Sequence, residues 1–476
     1  MGQEISYASF NSTDFELFSQ KLQSETLLLQ KLIQQNAFSS QEMVAGFEIE
    51  AWLVDEKLAP CPINEQFLKQ FNHPLACEEL AKFNIELNST PVPFSASVFS
   101  EMRQQLQSTW QSAFRQAQSL QTSTMMIGIL PTLKQSDLTL DRMSNRNRYR
   151  ALNEQILNSR GKPVYLDITG QEHLKLEHHD VMMESATTSF QIHIQVPLAI
   201  AHHFYNASMI ASAAMVGICA NAPFLFEHQL WADTRIPLFE QAIETGGYAG
   251  AVYGPLKRVS FGSGYARSSI MECFIENQEH FPVLLPECMD TEPEEFAHLK
   301  LHNGTVWRWN RPLIGFDSNG TPHIRIEHRS PSAGPTVIDA IANAAFFYGL
   351  SKNLCDELIH HGPSIPFSQA KDNFYQAAKF GLDAHINWHS GKKYRLYALL
   401  ENELLERARK GLLSLGVSQN ECDEYLDIIR HRVANRQTGS FWQQQFIEKY
   451  GKNFQAMTQH YLQHQQSGQP VSEWSL

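Results

Sequence analysis

The length, composition and charge of the chain exclude several classes of protein. Its 476 residues are 43% hydrophobic and 18% charged, the balance of an ordinary globular protein with a large buried core. A formal net charge of -12 argues against a broad electrostatic grip on DNA or RNA, but it permits a small anionic ligand held through metal ions.

The predicted elements mix long helices with strands and lack a regular βαβ order. An amphipathic helix over residues 12–35 comes first, and the hydrophobic period then changes to two over 46–55 and 82–88. Further helices are predicted over 98–120, 145–159, 199–220 and 336–358, and further strands over 187–197, 305–316 and 322–330. Beyond residue 367 nearly all of the sequence has a helical pattern.

This order of elements predicts an α+β fold with a largely antiparallel sheet. We expect a catalytic α+β domain over residues 1–365 and a helical C-terminal portion over 366–476 packed on it. The most apolar stretch, 199–226, is interrupted by His202, His203 and Pro223, so it is interpreted as a buried helix rather than a membrane span. No secretory signal pattern opens the chain, and the expected compartment is the cytoplasm.

Patterns for several other kinds of site are weak. The seven cysteines are scattered without a CxxC pair, which indicates reduced thiols, although a redox role for one pair stays open. No G-x-S-x-G, Walker loop or G-x-G-x-x-G after a strand is present. The stretch EHLKLEHHD, with His173, His178 and His179, is interpreted as a solvated turn, with a zinc site as the alternative. The Gly-rich stretch 260–266 is interpreted as a flexible loop, with a cover over phosphate as the alternative.

Four predicted strands carry polar side chains on one face only. Because side chains two residues apart share a face of a strand, Glu48 and Glu50 lie together, opposite Phe47 and Ile49. The other three polar faces are Asn84, Glu86 and Asn88; Gln191, His193 and Gln195; and His323, Arg325, Glu327 and Arg329. A solvated strand face is the alternative for each one taken alone, but none of the four faces carries a lysine.

Together these faces supply carboxylates, one imidazole and arginines. If the strands form one sheet, Glu48, Glu50, Glu86 and Glu327 converge, and their charges repel unless cations neutralise them. Magnesium or manganese fits such oxygen ligands and commonly bridges to phosphate. A nucleotide would then be held through metals and arginines rather than in a glycine loop.

The sequence resembles the glutamate–cysteine ligases of the plant and proteobacterial type, within the wider carboxylate–amine ligases. GFEIE is similar to the family's opening G-x-E-x-E strand, and IELNSTP to its second acidic strand. The further similar segments, in family order, are GILPTL, NRYRALNEQI, MMESATTSFQIHIQVP, CANAPFLFEHQLWADTR and RIEHRSPSAGP. The resemblance covers about residues 40–350.

The resemblance implies a glutamine-synthetase or guanido-kinase-like curved antiparallel sheet flanked by helices. It also implies a ligase that joins the γ-carboxylate of glutamate to the amine of cysteine through an acyl phosphate, the first step of glutathione biosynthesis. ATP is the implied co-substrate, with two to three Mg²⁺ or Mn²⁺ ions. The implied partners are small molecules, with no nucleic acid and no membrane, and a homo-oligomer is left open.

The resemblance assigns roles residue by residue. The metal ligands are Glu48, Glu50, Glu86, His193 and Glu327. Arg329 is placed on phosphate and Arg235 on the substrate carboxylate. Further substrate- or nucleotide-binding candidates are Arg148, Tyr149, Gln191, Asn221, Arg311 and Arg325, and a surface arginine is the alternative interpretation of Arg311.

The chain departs from the family pattern at two places near the expected substrate. Plant members have Gly-Ala-Asp where this chain has Ser330, Pro331 and Ser332, so the acidic residue is missing. In the turn that has the form Asn-Ser-Pro in the family, Ala222 takes the place of the serine. These departures motivate two alternatives: a ligase of the same fold with another amine or carboxylate, and a non-catalytic nucleotide-binding protein on a retired ligase fold.

Overall fold

The computed structural model describes residues 4–245, 257–389 and 391–476. Its α-helices are α1 (Ser12–Gln34), α2 (Asn64–Phe71), α3 (Val98–Ser119), α4 (Asn147–Arg160), α5 (Ala201–Ile218), α6 (Arg235–Ala242), α7 (Met271–His280), α8 (Ala297–Gly304), α9 (Val337–His361), α10 (Phe367–Phe380), α11 (Leu396–Leu399), α12 (Leu405–Ser414), α13 (Gln419–Ala434), α14 (Gly439–Tyr450) and α15 (Phe454–Ser467). Its strands are β1 (Val44–Val54), β2 (Ala76–Glu78), β3 (Asn84–Asn88), β4 (Val92–Pro93), β5 (Ser123–Met125), β6 (Val164–Thr169), β7 (His173–His178), β8 (Phe190–Val196), β9 (Phe224–Leu225), β10 (His228–Gln229), β11 (Asn310–Phe316), β12 (Pro322–His328), β13 (His385–Asn387) and β14 (Lys393–Arg395).

One curved sheet of eight strands organises the fold. Its order is β11-β12-β8-β1-β3-β2, with β4 and β5 also paired to β1, and every pairing is antiparallel. The α+β class and the antiparallel sheet predicted from the sequence are therefore confirmed. Strand β1 lies at the centre because it pairs with both β8 and β3, and it carries the GFEIE segment.

The central strand turns apolar side chains to the core and acidic ones away from it. Phe47, Ile49 and Ala51 are fully buried in the core. Helix α9 packs behind this part of the sheet, and the hydroxyl oxygen of its Tyr348 lies 3.0 Å from the carbonyl oxygen of Gly46 and 2.9 Å from that of His193. The backbone that carries the polar face is thus fixed from the apolar side.

Helices α5 and α9 form the helical centre of the molecule. Helix α5 is buried on all sides, which explains the apolar composition of 199–220. Among the described residues, no helix has the length and apolarity that crossing a bilayer requires.

The helices beyond residue 366 pack tightly on this centre. Helix α10 lies on α5, while α12 and α13 lie on α9. In α15, the amide nitrogen of Gln465 donates to the Met126 carbonyl at 2.7 Å, which ties the end of the chain to the segment after β5. One hydrophobic core runs through both portions, and the domain boundary at 365 stays a prediction.

Two local predictions were wrong. The histidine-rich stretch interpreted as a turn forms strand β7, which pairs with β6 in a separate hairpin. His173 and His178 bond to Asp167 and Asp180 at 2.9 and 2.7 Å, and neither belongs to a cluster of metal-ligating groups in the described ranges. The strand expected over 305–316 begins only at Asn310, because the residues before it turn to meet Ser260, whose carbonyl accepts from Trp309 at 3.0 Å.

Candidate active site

The polar face of the sheet gathers two groups of side chains that share strand β1. The imidazole–carboxylate group consists of Glu48, His193 and Glu327, and the three-carboxylate group consists of Glu50, Glu79 and Glu86. Within each group, one ligand atom from every residue lies within 4.8 Å of the others. Glu48 and Glu50 are two residues apart on one strand, so the two groups are neighbours about 6–7 Å apart along β1.

The imidazole–carboxylate group results from strand register. Glu327 of β12 lies directly opposite His193 of β8, and β8 pairs in turn with β1. The His193 Nε2 atom is 3.5 Å from a Glu48 oxygen and 3.8 Å from a Glu327 oxygen. Three separate strands therefore place their ligating atoms around one point.

His193 has the chemistry of a metal ligand. The ring is buried, and neither of its nitrogens has a hydrogen-bond partner among the described residues. Burial lowers the pKa of His193 to about 4, although the neighbouring carboxylates act in the opposite direction. At neutral pH the imidazole is thus uncharged and offers a lone pair, the form that binds metals.

Glu327 is held ionised by two arginines. Arg311 donates to both carboxylate oxygens at 2.9 and 3.1 Å, and Arg329 donates to one of them at 3.0 Å. Burial raises the pKa of Glu327, but these guanidinium groups outweigh it and leave the pKa well below its usual range. A carboxylate accepts about four hydrogen bonds, so one acceptor position remains and faces His193.

The three-carboxylate group has the opposite electrostatics. Glu50 of β1 lies opposite Glu86 of β3, and Glu79 follows the end of β2. Burial raises the pKa of all three carboxyls, and so do neighbouring charges: Glu86 acts on Glu50 and Glu79, and Glu48 acts on Glu86. Hydrogen bonds to Glu50 from the Ser189 amide at 2.7 Å and the Ser189 hydroxyl at 2.8 Å offset only part of this cost.

These residue types fit divalent cations. Hard oxygen ligands in excess of the nearby positive charge suit Mg²⁺ or Mn²⁺, and a neutral buried imidazole beside two carboxylates suits the same ions. Either group supplies three protein ligands, which leaves coordination positions for phosphate oxygens.

A small cavity of about 30 Å³ opens beside the three-carboxylate group. Its lining comprises Glu50, Glu79, Leu80, Asn84, Glu184, Ser185, Thr187, Thr188, Ser189, Arg235, Phe239, Trp309 and Arg329. Its walls combine carboxylates, two arginines and aromatic rings. Within the described part of 260–266, no residue lines it.

Arg235 shapes one wall of this cavity. Its guanidinium donates to the Ser330 and Arg329 carbonyl oxygens, both at 3.0 Å. The Ser330 hydroxyl contacts the His328 ring at 2.8 Å, and the Ser332 hydroxyl donates to Asp233 at 2.8 Å. In this loop, which lacks the acidic residue of the plant members, both serine hydroxyls therefore bond to buried groups of the protein.

A close approach of two chains requires Gly128 in the GILPTL segment. A Cβ atom at this position would stand 2.5 Å from the Ser332 hydroxyl oxygen. The Gly128 carbonyl accepts a hydrogen bond from the Thr188 amide at 2.9 Å. The glycine thus lets this segment pack against the loop after β12.

The remaining residues predicted from the sequence lie at different distances from this centre. The Gln191 amide donates to Glu50 at 2.9 Å and accepts from Arg329, so it joins the two groups. Arg148 stacks on Tyr149 at 4.5 Å, and its charge acts on Glu79. Arg325 lies further along β12, opposite Gln195.

Asn221 has a structural environment. Its side-chain nitrogen donates to the Ala333 carbonyl at 2.8 Å and to the Tyr461 hydroxyl at 2.7 Å, and it is fully buried. It is not among the residues that line the cavity. The proposed substrate contact of Asn221 therefore has no counterpart in its surroundings.

Sequence reasoning missed Glu79, Glu184 and Asp233. Glu79 lies outside a predicted strand and reaches the site only because β2 pairs with β3. Glu184 lies in a 3-10 helix, Val181–Ala186, where no periodic pattern marks it. Burial and the charge of Glu50 raise the pKa of Glu184 to about 7. Acidic residues in CEEL and MMES were the only available signal.

The fold and the site define an ATP-dependent carboxylate–amine ligase. The chain belongs to glutamate–cysteine ligase family 2, whose family model matches residues 44–469.

Solved structures show the same fold. The glutamate–cysteine ligase of Francisella tularensis, solved in complex with AMP, is 12% identical, with a TM-score of 0.56 over 90% of each chain. A bifunctional glutathione synthetase from Pasteurella multocida is also 12% identical, with a TM-score of 0.52 over 93% of this chain and 55% of that one. No curated protein sequence gives a significant match.

Proposed function

We propose that the protein joins the γ-carboxylate of glutamate to the amine of cysteine at the expense of ATP, through a γ-glutamyl phosphate. The observation that carries this proposal is the pair of ligating groups on β1, with Arg329 contacting the imidazole–carboxylate group directly and the three-carboxylate group through Gln191. The assigned family and the adjoining cavity agree with it. The cytoplasmic location stays a prediction.

The reaction needs an environment that stabilises a transferring phosphoryl group. A carboxylate oxygen of glutamate attacks the γ-phosphorus and ADP leaves; the amine nitrogen then attacks the acyl carbon, and phosphate leaves. Bound Mg²⁺ or Mn²⁺ would neutralise phosphate charge when held by the two groups. Arg329 uses one nitrogen for Glu327 and Gln191, so its other N–H donors remain for an anionic oxygen.

Arg235 has a positioning role in this proposal. Two of its nitrogens hold the carbonyl oxygens of residues 329 and 330, which fixes Arg329 at the edge of the cavity. Its guanidinium also lies 5.8 Å from the Trp309 ring. Glutamate, cysteine and ATP are the proposed substrates that this wall would face.

A second candidate is a ligase of the same mechanism with a different amine. It is favoured by the loop after β12, where the hydroxyls of Ser330 and Ser332 hydrogen-bond to His328 and Asp233. Residues 330–332 of that loop are not among the residues that line the cavity, so the acceptor must be selected by other residues.

The test is release of ADP from ATP with glutamate, Mg²⁺ and a panel of amines at equal concentration. The proposal expects release that needs all components and is fastest with cysteine, with γ-glutamylcysteine identified by mass spectrometry. Faster release with another amine favours the second candidate. ATP binding without release in any combination contradicts both and favours a non-catalytic nucleotide-binding protein.

A further inference from the structure

Glu184 differs in its hydrogen bonding from the other acidic residues that line the cavity. No described residue donates a hydrogen bond to its carboxylate, whereas Glu50 accepts bonds from Ser189 and Gln191. It belongs to neither ligating group on β1. A carboxylate that lines a cavity without a donor from the protein is poised to receive one from a ligand.

The surrounding charges select the kind of donor. Charges of both signs act on Glu184: Glu50 raises its pKa, whereas Arg329 and Arg148 lower it. Arg235 and Arg329 line the same cavity, but their hydrogen bonds go to carbonyl oxygens, Glu327 and Gln191. The cavity therefore offers an unsatisfied acceptor to a cation and has arginine N–H groups for an anion.

The cation that fits is an organic ammonium rather than a further metal ion. Glu50, Glu79 and Glu86 bring three oxygen ligands within 4.8 Å of one another. A divalent ion prefers such a set to the single carboxylate of Glu184. Phe239 and Trp309 line the cavity beside them, and aromatic faces favour ammonium groups and aliphatic chains. A molecule with an ammonium, a carboxylate and a short chain matches these walls.

We propose that Glu184 binds the α-ammonium group of the amino-acid donor whose side-chain carboxylate is activated at this site. The inference rests on the proposed function and adds to it the residue that makes the enzyme choose an amino acid over a plain dicarboxylic acid. Glu184 is a specificity-determining residue in this role, since it contacts the donor away from the reacting carboxylate.

The test compares glutamate with glutarate, which has the same chain and lacks the ammonium group. Calorimetric binding of each compound is measured for the wild type, Glu184→Gln, Glu184→Asp and Glu154→Gln, the last being the same exchange at an exposed position of α4. Glu184→Gln is expected to weaken glutamate binding by about 10- to 100-fold, the value of a charge-assisted hydrogen bond, and to leave glutarate binding unchanged. Glu184→Asp should retain part of the preference, and Glu154→Gln all of it.

Turnover gives a separate readout. With a functioning ligase, Glu184→Gln raises the KM for glutamate and leaves the KM values for ATP and the amine unchanged. Equal losses for glutamate and glutarate, or a rise in the KM for the amine instead, overturn the role of Glu184. If the wild type releases no ADP, the proposed function fails, and the preference for glutamate over glutarate in the calorimeter still decides the role of Glu184.

Discussion

Replacing Glu79 by glutamine should change stability in opposite directions with and without a divalent cation. Glu79 adds a third carboxylate to Glu50 and Glu86, with oxygen atoms within 4.8 Å of one another. Two unit charges at that distance repel by about 3 kcal/mol at an effective dielectric constant of about 20. The raised pKa values show that protonation already relieves part of this repulsion, so the cation-free variant should gain about 1–2 kcal/mol in free energy of unfolding.

The same change should weaken the response to Mg²⁺ or Mn²⁺. A cation at 100 times its Kd stabilises the wild type by about 2.7 kcal/mol, and this gain should largely disappear when one of three ligands becomes an amide. Urea unfolding in EDTA and in excess cation measures both effects, with Glu56→Gln in an exposed turn as the matched control. A Glu79→Gln protein that is less stable in EDTA, or that keeps the full cation-dependent gain, refutes the reasoning.

Three further predictions follow from the same electrostatics. Arg311→Met removes two hydrogen bonds to Glu327 and should lower the free energy of unfolding by about 3–5 kcal/mol, the cost of breaking a buried ion pair. Urea unfolding measures this loss. A loss within about 0.5 kcal/mol would show that Arg311 is a surface arginine. Affinity for Mn²⁺ at the three-carboxylate group should keep rising with pH above the ordinary titration range of a carboxyl, because the raised pKa values make the ion compete with protons there; a flat profile in calorimetry contradicts this. His328 stays neutral in the folded state because burial lowers its pKa to about 3. Its contribution to stability is full above the unfolded pKa near 6.5 and falls as pH drops toward 3, so urea unfolding of His328→Asn and wild type should converge in acid; a constant difference between them would contradict the assignment.

The sheet could be predicted because the sequence of each strand distinguishes an apolar face from a polar face. In β1, β3, β8 and β12, apolar residues alternate with polar ones, and the polar residues are acids, amides, a histidine and arginines. That pattern is local, so it survives without knowledge of the partners of each strand. It predicted that Glu48, Glu50, Glu86, His193 and Glu327 converge. Glu48, His193 and Glu327 lie close together because their strands are adjacent in the sheet.

Residues outside alternating strands could not be found in this way. Glu79 and Glu184 reach the site from a strand end and a 3-10 helix, and only long-range pairing decides where those segments lie. The β6–β7 hairpin shows a different failure. Its residues alternate as in a strand, but its histidine-rich sequence is also typical of a polar turn, and only the fold brings His173 and His178 to Asp167 and Asp180.

The Asn221 prediction illustrates the limit of motif matching. The Asn-x-Pro turn is present, yet the asparagine amide links the Ala333 carbonyl to Tyr461 of the last helix. A short motif identifies a turn that the fold needs, and it does not tell whether the side chain faces ligand or core. That decision depends on helix α15, which lies outside the region of resemblance.

Strand β1 carries one residue of each ligating group, Glu48 and Glu50. The distance between Glu48 and Glu50 is set by bond lengths and the pleat of one strand, not by the packing of separate elements. Substitutions that shift β1 against helix α9 would move Glu48 and Glu50 together and preserve their spacing. A core substitution that displaces β1 as a unit therefore moves these two charges without changing the separation between them.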